Sequence, residues 1–133
     1  MTYVNPDQEI EVDSVVGAFM QVRREAINAV GLLDETFFMY GEDLDWAYRV
    51  KKAGWTVYYH PQVTVRHVKR ASSRRSKKAQ FEFYRSMLIF YRKHFRATTP
   101  LWLHALIVTG LLVKGGRSLW PELRHPLMPI TTS

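Results

Sequence analysis

The apolar segments of this chain are short, and turn or charged residues separate them. This feature limits the possible folds more than any other. VVGAFMQVR (residues 15–23) and WTVYYHP (residues 55–61) are rich in β-branched and aromatic residues and predict buried strands, and VTVRHV (residues 63–68) predicts another. Gly17 inside the first of these segments indicates a bulge or a close approach of the backbone. Residues 1–13 are expected to be a polar lead-in.

The other apolar residues recur at helical spacing. REAINAV (residues 24–30) predicts a short helix that ends at Gly31, and a second helix is expected to begin near Glu42 and to end at Gly54. The predicted order of elements up to this point is therefore β-α-loop-α-β-β.

The C-terminal part of the chain predicts two more helices. KRASSRRSKKAQ (residues 69–80) is polar and basic and predicts a loop. An amphipathic helix over residues 81–95 and a more apolar helix over residues 101–113 are expected to follow it. The second apolar run has 13 residues, fewer than the roughly 20 that a membrane span needs. The fold class is thus α/β, with too few strands for a complete doubly wound sheet.

Charge is distributed unevenly along the 133 residues, whose net charge is +7. Residues 1–65 carry −5, whereas residues 66–96 carry +10. For the basic segment three interpretations are open: a solvated surface, a phosphate or nucleotide site, or attachment to a membrane surface. Nucleic-acid binding is a fourth, but no recognised motif supports it. The absence of cysteine excludes disulfides, thiolate zinc sites and cysteine nucleophiles.

Three carboxylates lie close together in YGEDLD (residues 40–45). Asp45 is expected to pair with Arg49 one turn later, and Glu42 to stabilise the start of the helix. Asp43 lies on another face, where its carboxylate could accept a proton from a hydroxyl nucleophile. Asp43 and Asp45 have the letters of a DxD metal motif, but side chains two residues apart on a helix point about 200° apart, so no metal site is expected there.

A set of short motifs over residues 12–95 goes beyond generic patterning. In order they are the GA pair, RRE, LDE with following aromatics, YGEDLD, KAGW, YYHP and a histidine, His67. In this combination they resemble the C-terminal half of the catalytic domain of family 2 glycosyltransferases. The most similar type is the bacterial rhamnosyltransferase-like enzymes that build cell-wall or surface polysaccharide. The resemblance implies a partial GT-A fold, which is Rossmann-like, followed by C-terminal helices.

The resemblance also implies a reaction and roles for particular residues. A sugar is transferred from a nucleotide-diphosphate sugar, with inversion and with Mg²⁺ or Mn²⁺. Asp43 would be the general base and Glu42 would position the acceptor or that base. His67 would complete the metal site.

Two further pairs take roles from the same resemblance. Asp34 and Glu35 would lie in the loop that leads to the acceptor, and Gly17 and Ala18 would let the backbone approach the sugar. The partners implied are the nucleotide-diphosphate sugar and a glycan or lipid-linked acceptor.

The chain departs from the family pattern in one large respect. Nothing in it matches the family's N-terminal half, which holds the nucleotide pocket and the metal-binding DxD. We therefore expect residues 1–96 to be the acceptor-side part of the domain and residues 97–133 an apolar helix and irregular tail. The chain would then be a truncated gene product, a remnant, or one part of a split enzyme whose other half a separate chain supplies.

The expected location is the cytoplasm, at the inner face of the plasma membrane, with residues 81–95 and 101–113 in peripheral membrane contact. The alternative is a non-catalytic membrane-surface or partner-binding module that retains a glycosyltransferase-like scaffold.

Overall fold

A computed structural model of the chain describes residues 5–66 and 76–124. The described residues form two compact units. The first unit contains residues 5–33 and 43–66, and the second contains residues 34–42 and 76–124. The single boundary predicted at residue 96 stays a prediction.

The first unit combines a small sheet with two helices. Strands β1 (Ile10–Val12) and β2 (Val57–Tyr59) pair antiparallel, with Ile10 opposite Tyr59. Between them in the chain lie α1 (Arg24–Val30) and α2 (Glu42–Lys52). All of α1 belongs to this unit, and so does α2 except for its first residue, Glu42. The predicted helix over residues 24–30 is confirmed.

The helix ends in the first unit also agree with the prediction. Gly31 ends α1 at φ +78°, and Gly54, at φ +89°, follows the end of α2. Positive φ values of this size favour glycine, which explains why the sequence marks both ends so clearly.

The strand predictions were only partly correct. The prediction over residues 55–61 is confirmed at its centre by β2, but residues 15–23 form no strand, and Val16 and Phe19 are 70% and 51% exposed. A strand needs a neighbour for its backbone N–H and C=O groups, and within the described residues only β1 and β2 pair. β1 lies instead in the segment expected to be a polar lead-in. Residues 63–66 form no strand either, and residues 67–68 lie outside the described residues.

A mixture of helix and strand is therefore confirmed, whereas a Rossmann-like sheet is not. The sheet of the described residues has two antiparallel strands. The fold is consistent with part of an α/β domain.

The second unit is built on two longer helices. They are α3 (Lys77–His94) and α4 (Leu101–Gly115), joined by a 3₁₀ turn at Arg96–Thr98. Short 3₁₀ turns at Arg117–Leu119 and Pro121–Leu123 follow α4. The apolar helix over residues 101–113 is confirmed, with its end two residues later than predicted.

The predicted loop over residues 69–80 is wrong at its C-terminal end, because α3 begins four residues earlier than expected. Ser76 caps the helix: its Oγ accepts the backbone N–H of Ala79 at 3.0 Å. This cap stabilises a first turn that contains Lys77 and Lys78. In residues 5–66 and 76–124, no helix is long and apolar enough to cross a membrane.

Candidate functional site

Asp43, the second residue of α2, is held by backbone groups on both sides of its carboxylate. Oδ2 accepts the N–H of Gly17 at 2.8 Å, and Oδ1 accepts the N–H of Leu44, also at 2.8 Å. A Cβ atom on Gly17 would lie 3.3 Å from the Asp43 Cβ and 3.5 Å from Oδ2. The missing side chain at position 17 thus permits the close approach, and the approach fixes the orientation of the carboxylate.

An apolar cavity of about 1240 Å³ lies within the first unit. Ala18 lines it next to the Gly17 turn, and most of the other lining residues are apolar or aromatic, among them Phe19, Trp46, Trp55 and Tyr58. The cavity is broad and open, which leaves many apolar side chains of this unit accessible. The sequence did not predict this cavity, because residues 15–23 were expected to form a buried strand whose side chains pack against neighbouring elements.

Asp45 has a different environment from Asp43. It is fully buried, and its Oδ2 accepts the Arg49 Nε–H at 2.8 Å. Arg49 also donates to the carbonyl oxygens of Val30 and Leu32 at the end of α1. The prediction of a structural role for Asp45 is confirmed.

In the second unit, Asp34 anchors the loop that precedes α2. Its Oδ2 accepts the Lys93 ammonium at 2.6 Å, and its Oδ1 accepts the Thr36 N–H at 2.9 Å. Partial burial raises the pKa of Asp34, but the hydrogen bonds from Lys93 and Thr36 and the charge of Lys93 outweigh it and lower the pKa below its ordinary value. Glu35, beside it, is exposed.

The loop from residue 34 to residue 41 is held against α3 of the same unit. Ser86 Oγ donates to the Met39 carbonyl at 2.8 Å, and Arg85 donates to the Thr36 carbonyl at 3.2 Å. Phe37 is buried, whereas Phe38 is 63% exposed and lies under the Lys78 ammonium, 4.9 Å from its ring centre.

Two consecutive left-handed residues turn this loop into α2. Tyr40 has φ +67° and Gly41 has φ +84°. A left-handed backbone at a tyrosine costs about 1–3 kcal/mol and is concentrated at functional sites. The Tyr40 ring packs edge-on to Phe83, with ring centroids 6.0 Å apart. The sequence analysis did not single out Tyr40. The only sign of its unusual backbone in the sequence is its position directly before the glycine of YGED (residues 40–43).

Glu42 is the first residue of α2 and is half-buried. Its Oε2 is shielded from solvent and makes no hydrogen bond among the described residues. A buried carboxylate oxygen without a partner is costly, and the described residues supply no donor to this atom.

The described residues do not fit a metal ion. No group of three or more histidine or carboxylate side chains in residues 5–66 and 76–124 could hold one. As expected from the helical spacing, Asp43 and Asp45 contact different partners. His67, the predicted metal ligand, lies outside the described residues.

The comparisons with known proteins agree with the motif set. Over 59 residues the chain is 46% identical to the N-acetylglucosaminyl-diphospho-decaprenol L-rhamnosyltransferases of two Mycobacterium tuberculosis strains, CDC 1551 / Oshkosh and ATCC 25618 / H37Rv. The match covers 44% of this chain and 19% of each relative, so it spans about a fifth of their length. No solved structure matches the chain significantly.

A family model matches a larger part of the chain. The model describes glycosyltransferase like family 2 and matches residues 6–86, which is more than half of the sequence. That range contains Gly17, Asp34, Glu42 and Asp43. The chain therefore belongs to the glycosyltransferase-like family 2.

Proposed function

We propose that this chain is the acceptor-side part of an inverting glycosyltransferase. It would transfer a sugar such as rhamnose from a nucleotide-diphosphate sugar to a cell-wall or surface polysaccharide acceptor. The observation that carries the proposal is the Asp43 carboxylate, fixed by the N–H groups of Gly17 and Leu44 at the start of α2. Family membership and the rhamnosyltransferase relatives support the class of reaction.

In the proposed reaction Asp43 is the general base. An aspartate side chain is ordinarily a carboxylate at neutral pH, and each Asp43 oxygen accepts one backbone N–H and keeps a further lone pair. As the acceptor hydroxyl oxygen bonds to the anomeric carbon, its proton passes to Asp43. The bond between that carbon and the diphosphate oxygen breaks, and the diphosphate leaves with the electron pair. Attack from the side opposite the leaving group inverts the centre.

The other predicted residues take supporting roles in the proposal. Glu42 would position the acceptor, since its Oε2 has no hydrogen-bond partner among the described residues. Asp34 would act through the loop that it anchors to Lys93, with Glu35 exposed beside it. Gly17 and Ala18 would give the sugar access to the backbone near Asp43.

We propose a lipid-linked or glycan acceptor, and a separate chain that supplies the donor-binding half. The lipid-linked acceptor is supported by the mycobacterial relatives, which are N-acetylglucosaminyl-diphospho-decaprenol L-rhamnosyltransferases. The open apolar cavity of the first unit supports a polypeptide partner, because large exposed apolar surfaces commonly mark interaction sites. Peripheral contact with the inner face of the plasma membrane belongs to the same proposal.

A hybrid enzyme tests the assignment of the base. In the mycobacterial rhamnosyltransferase, the segment that aligns with this chain is replaced by this chain's sequence, and rhamnosyl transfer to the lipid-linked acceptor is measured. We expect Asp43→Asn to lower turnover about a hundred- to ten-thousand-fold, the usual contribution of a general base. Glu25→Gln, which changes an exposed carboxylate on α1, is the control and should keep turnover unchanged. Near-normal turnover in Asp43→Asn would exclude Asp43 as the base.

Use of Mg²⁺ or Mn²⁺, with His67 as a ligand, remains a prediction from the resemblance. Calorimetric titration with a panel of nucleotide sugars and Mn²⁺ tests it in the wild-type chain and in His67→Ala. Metal-dependent binding that the variant loses would support the prediction. Equal binding in both proteins would contradict the role of His67.

A further inference from the structure

The outward side of α4 carries large apolar side chains that nothing in the second unit covers. Leu101, Trp102, Leu106 and Val113 are 75%, 71%, 65% and 75% exposed. They lie on one side of the helix, with the small exposed residues Ala105 and Thr109 between them. We call these six residues the outer face of α4.

The inner side of α4 is already occupied. The Tyr91 hydroxyl of α3 lies 2.9 Å from His104 Nδ1, and the two rings stack. Leu111 is buried on the same side. The orientation of α4 is thus set by its packing in this unit, and the outer face is left as a continuous apolar strip.

The charged residues that flank α4 along the chain, from residue 96 to residue 121, are all positive. Residues 96–121 contain no acidic residue, and basic residues stand at both ends of the helix. Arg96 lies in the preceding 3₁₀ turn, and Lys114 and Arg117 are exposed at the other end. An apolar strip with cations at both ends complements a surface that is apolar inside and anionic outside.

The aromatic residues fit the same kind of surface. Trp102 lies near the start of α4, and Trp120, after its end, is 58% exposed. Tryptophan favours the headgroup level of a bilayer, where its ring meets apolar chains and its N–H stays near water. A helix of 15 residues is about 22 Å long, shorter than the hydrocarbon layer of about 30 Å, so it would lie in the plane of the interface.

The amphipathic helix α3 leaves less apolar surface exposed than α4, since its most exposed apolar side chains, Phe83 and Met87, are 48% and 45% exposed. Its apolar residues Leu88 and Ile89 are buried in the second unit. Two of its cations are committed to partners in the same unit: Arg85 to Glu122 and Lys93 to Asp34. The sequence predicted that both helices contact a membrane, and the larger uncovered apolar strip lies on α4.

From these observations we propose that the outer face of α4 docks on an anionic lipid bilayer. The helix lies flat, with Leu101, Trp102, Leu106 and Val113 among the upper acyl chains and Lys114 and Arg117 at the headgroups. The inference deepens the proposed function through its lipid-linked acceptor. Vesicle binding needs no glycosyl transfer, however, so docking and the proposed activity can fail separately.

Co-sedimentation of the full chain with vesicles tests the proposal. We expect binding to vesicles of phosphatidylcholine with phosphatidylglycerol and at least about tenfold weaker binding to phosphatidylcholine alone. Leu101→Ser with Leu106→Ser should weaken the binding about tenfold or more, because both remove apolar contact area. Lys114→Gln and Arg117→Gln should each weaken it roughly fivefold.

The matched control is a pair of exposed leucines in the first unit. Leu32→Ser with Leu33→Ser removes side chains that are 74% and 48% exposed and should leave vesicle binding unchanged. Circular dichroism of each variant checks that the helices remain. Equal loss of binding in the control pair would overturn the assignment to α4, as would wild-type binding that ignores the anionic lipid.

Tryptophan fluorescence identifies the face directly. Anionic vesicles should shift the emission of the wild-type chain to shorter wavelength. Trp102→Phe should keep binding but lose a large part of that shift, and Trp120→Phe should lose the remainder. An unchanged shift in Trp102→Phe would place the lipid elsewhere, and concentration-dependent dimers that Leu106→Ser disrupts would show a second copy on the face instead.

Discussion

Asp43 and Asp45 lie two residues apart on α2, and their carboxylates contact different parts of the first unit. Asp43 accepts the backbone N–H of Gly17, whereas Asp45 is fully buried against Arg49. The same residue type on the same helix therefore has two environments: one carboxylate remains partly accessible to solvent, and the other joins α2 to the end of α1.

Replacing each aspartate by asparagine should separate stability from activity. Asp45→Asn leaves the Arg49 charge buried without its carboxylate, so the free energy of unfolding should fall by about 3 kcal/mol. Asp43→Asn keeps an oxygen that can accept the Gly17 N–H, and should cost about 1 kcal/mol or less. Urea unfolding of the two variants measures both values. Equal losses would show that Asp43 is as structural as Asp45.

Local patterns in the sequence predicted the helices well. Glycines at positions 31 and 54 marked helix ends because the backbone there takes positive φ values. The pairing of Asp45 with Arg49 followed from a spacing of one helical turn. These features depend on residues within a few positions of one another, which the sequence displays directly.

Features that depend on distant residues were less predictable. The apolar composition of residues 15–23 is typical of a strand, but pairing requires a neighbour that composition does not reveal. Similarly, Glu42 lies at the helix start as expected, but nothing in the sequence indicated that its Oε2 would be buried without a partner among the described residues. The hydrogen bond from Gly17 to Asp43 spans 26 residues, and only the glycine itself hinted at a close approach.

The pairing of Asp34 with Lys93 predicts a pH dependence of stability. The pKa of Asp34 is lowered in the folded chain, so ionised Asp34 stabilises the fold. This contribution to the free energy of unfolding is fully present above the unfolded-state pKa of about 4. The contribution is lost as pH falls through the lower folded-state pKa. The difference in unfolding free energy between the wild type and Asp34→Asn should thus be constant from neutral pH to about pH 5 and shrink below about pH 4.

Glu35→Gln is the matched control for this measurement. Its exposed carboxylate lies one residue further along the chain. Chemical denaturation at a series of pH values measures the difference in unfolding free energy between the wild type and each variant. For Glu35→Gln this difference should show no comparable change with pH. A constant difference for Asp34→Asn down to the lowest pH would mean that the ion pair does not contribute to folding.

Two glycines on α4 should respond in opposite directions to substitution by alanine. At Gly115 a Cβ atom would clash with Leu119 Cδ1 and lie 2.9 Å from Tyr84 Cβ, so Gly115→Ala should destabilise the chain by about 1–3 kcal/mol. A Cβ at Gly110 would meet nothing within 4 Å. Gly110→Ala should therefore stabilise the helix by about 1 kcal/mol. Thermal unfolding distinguishes the two signs. A stabilising Gly115→Ala would contradict the packing of the Arg117–Leu119 turn against the end of α4.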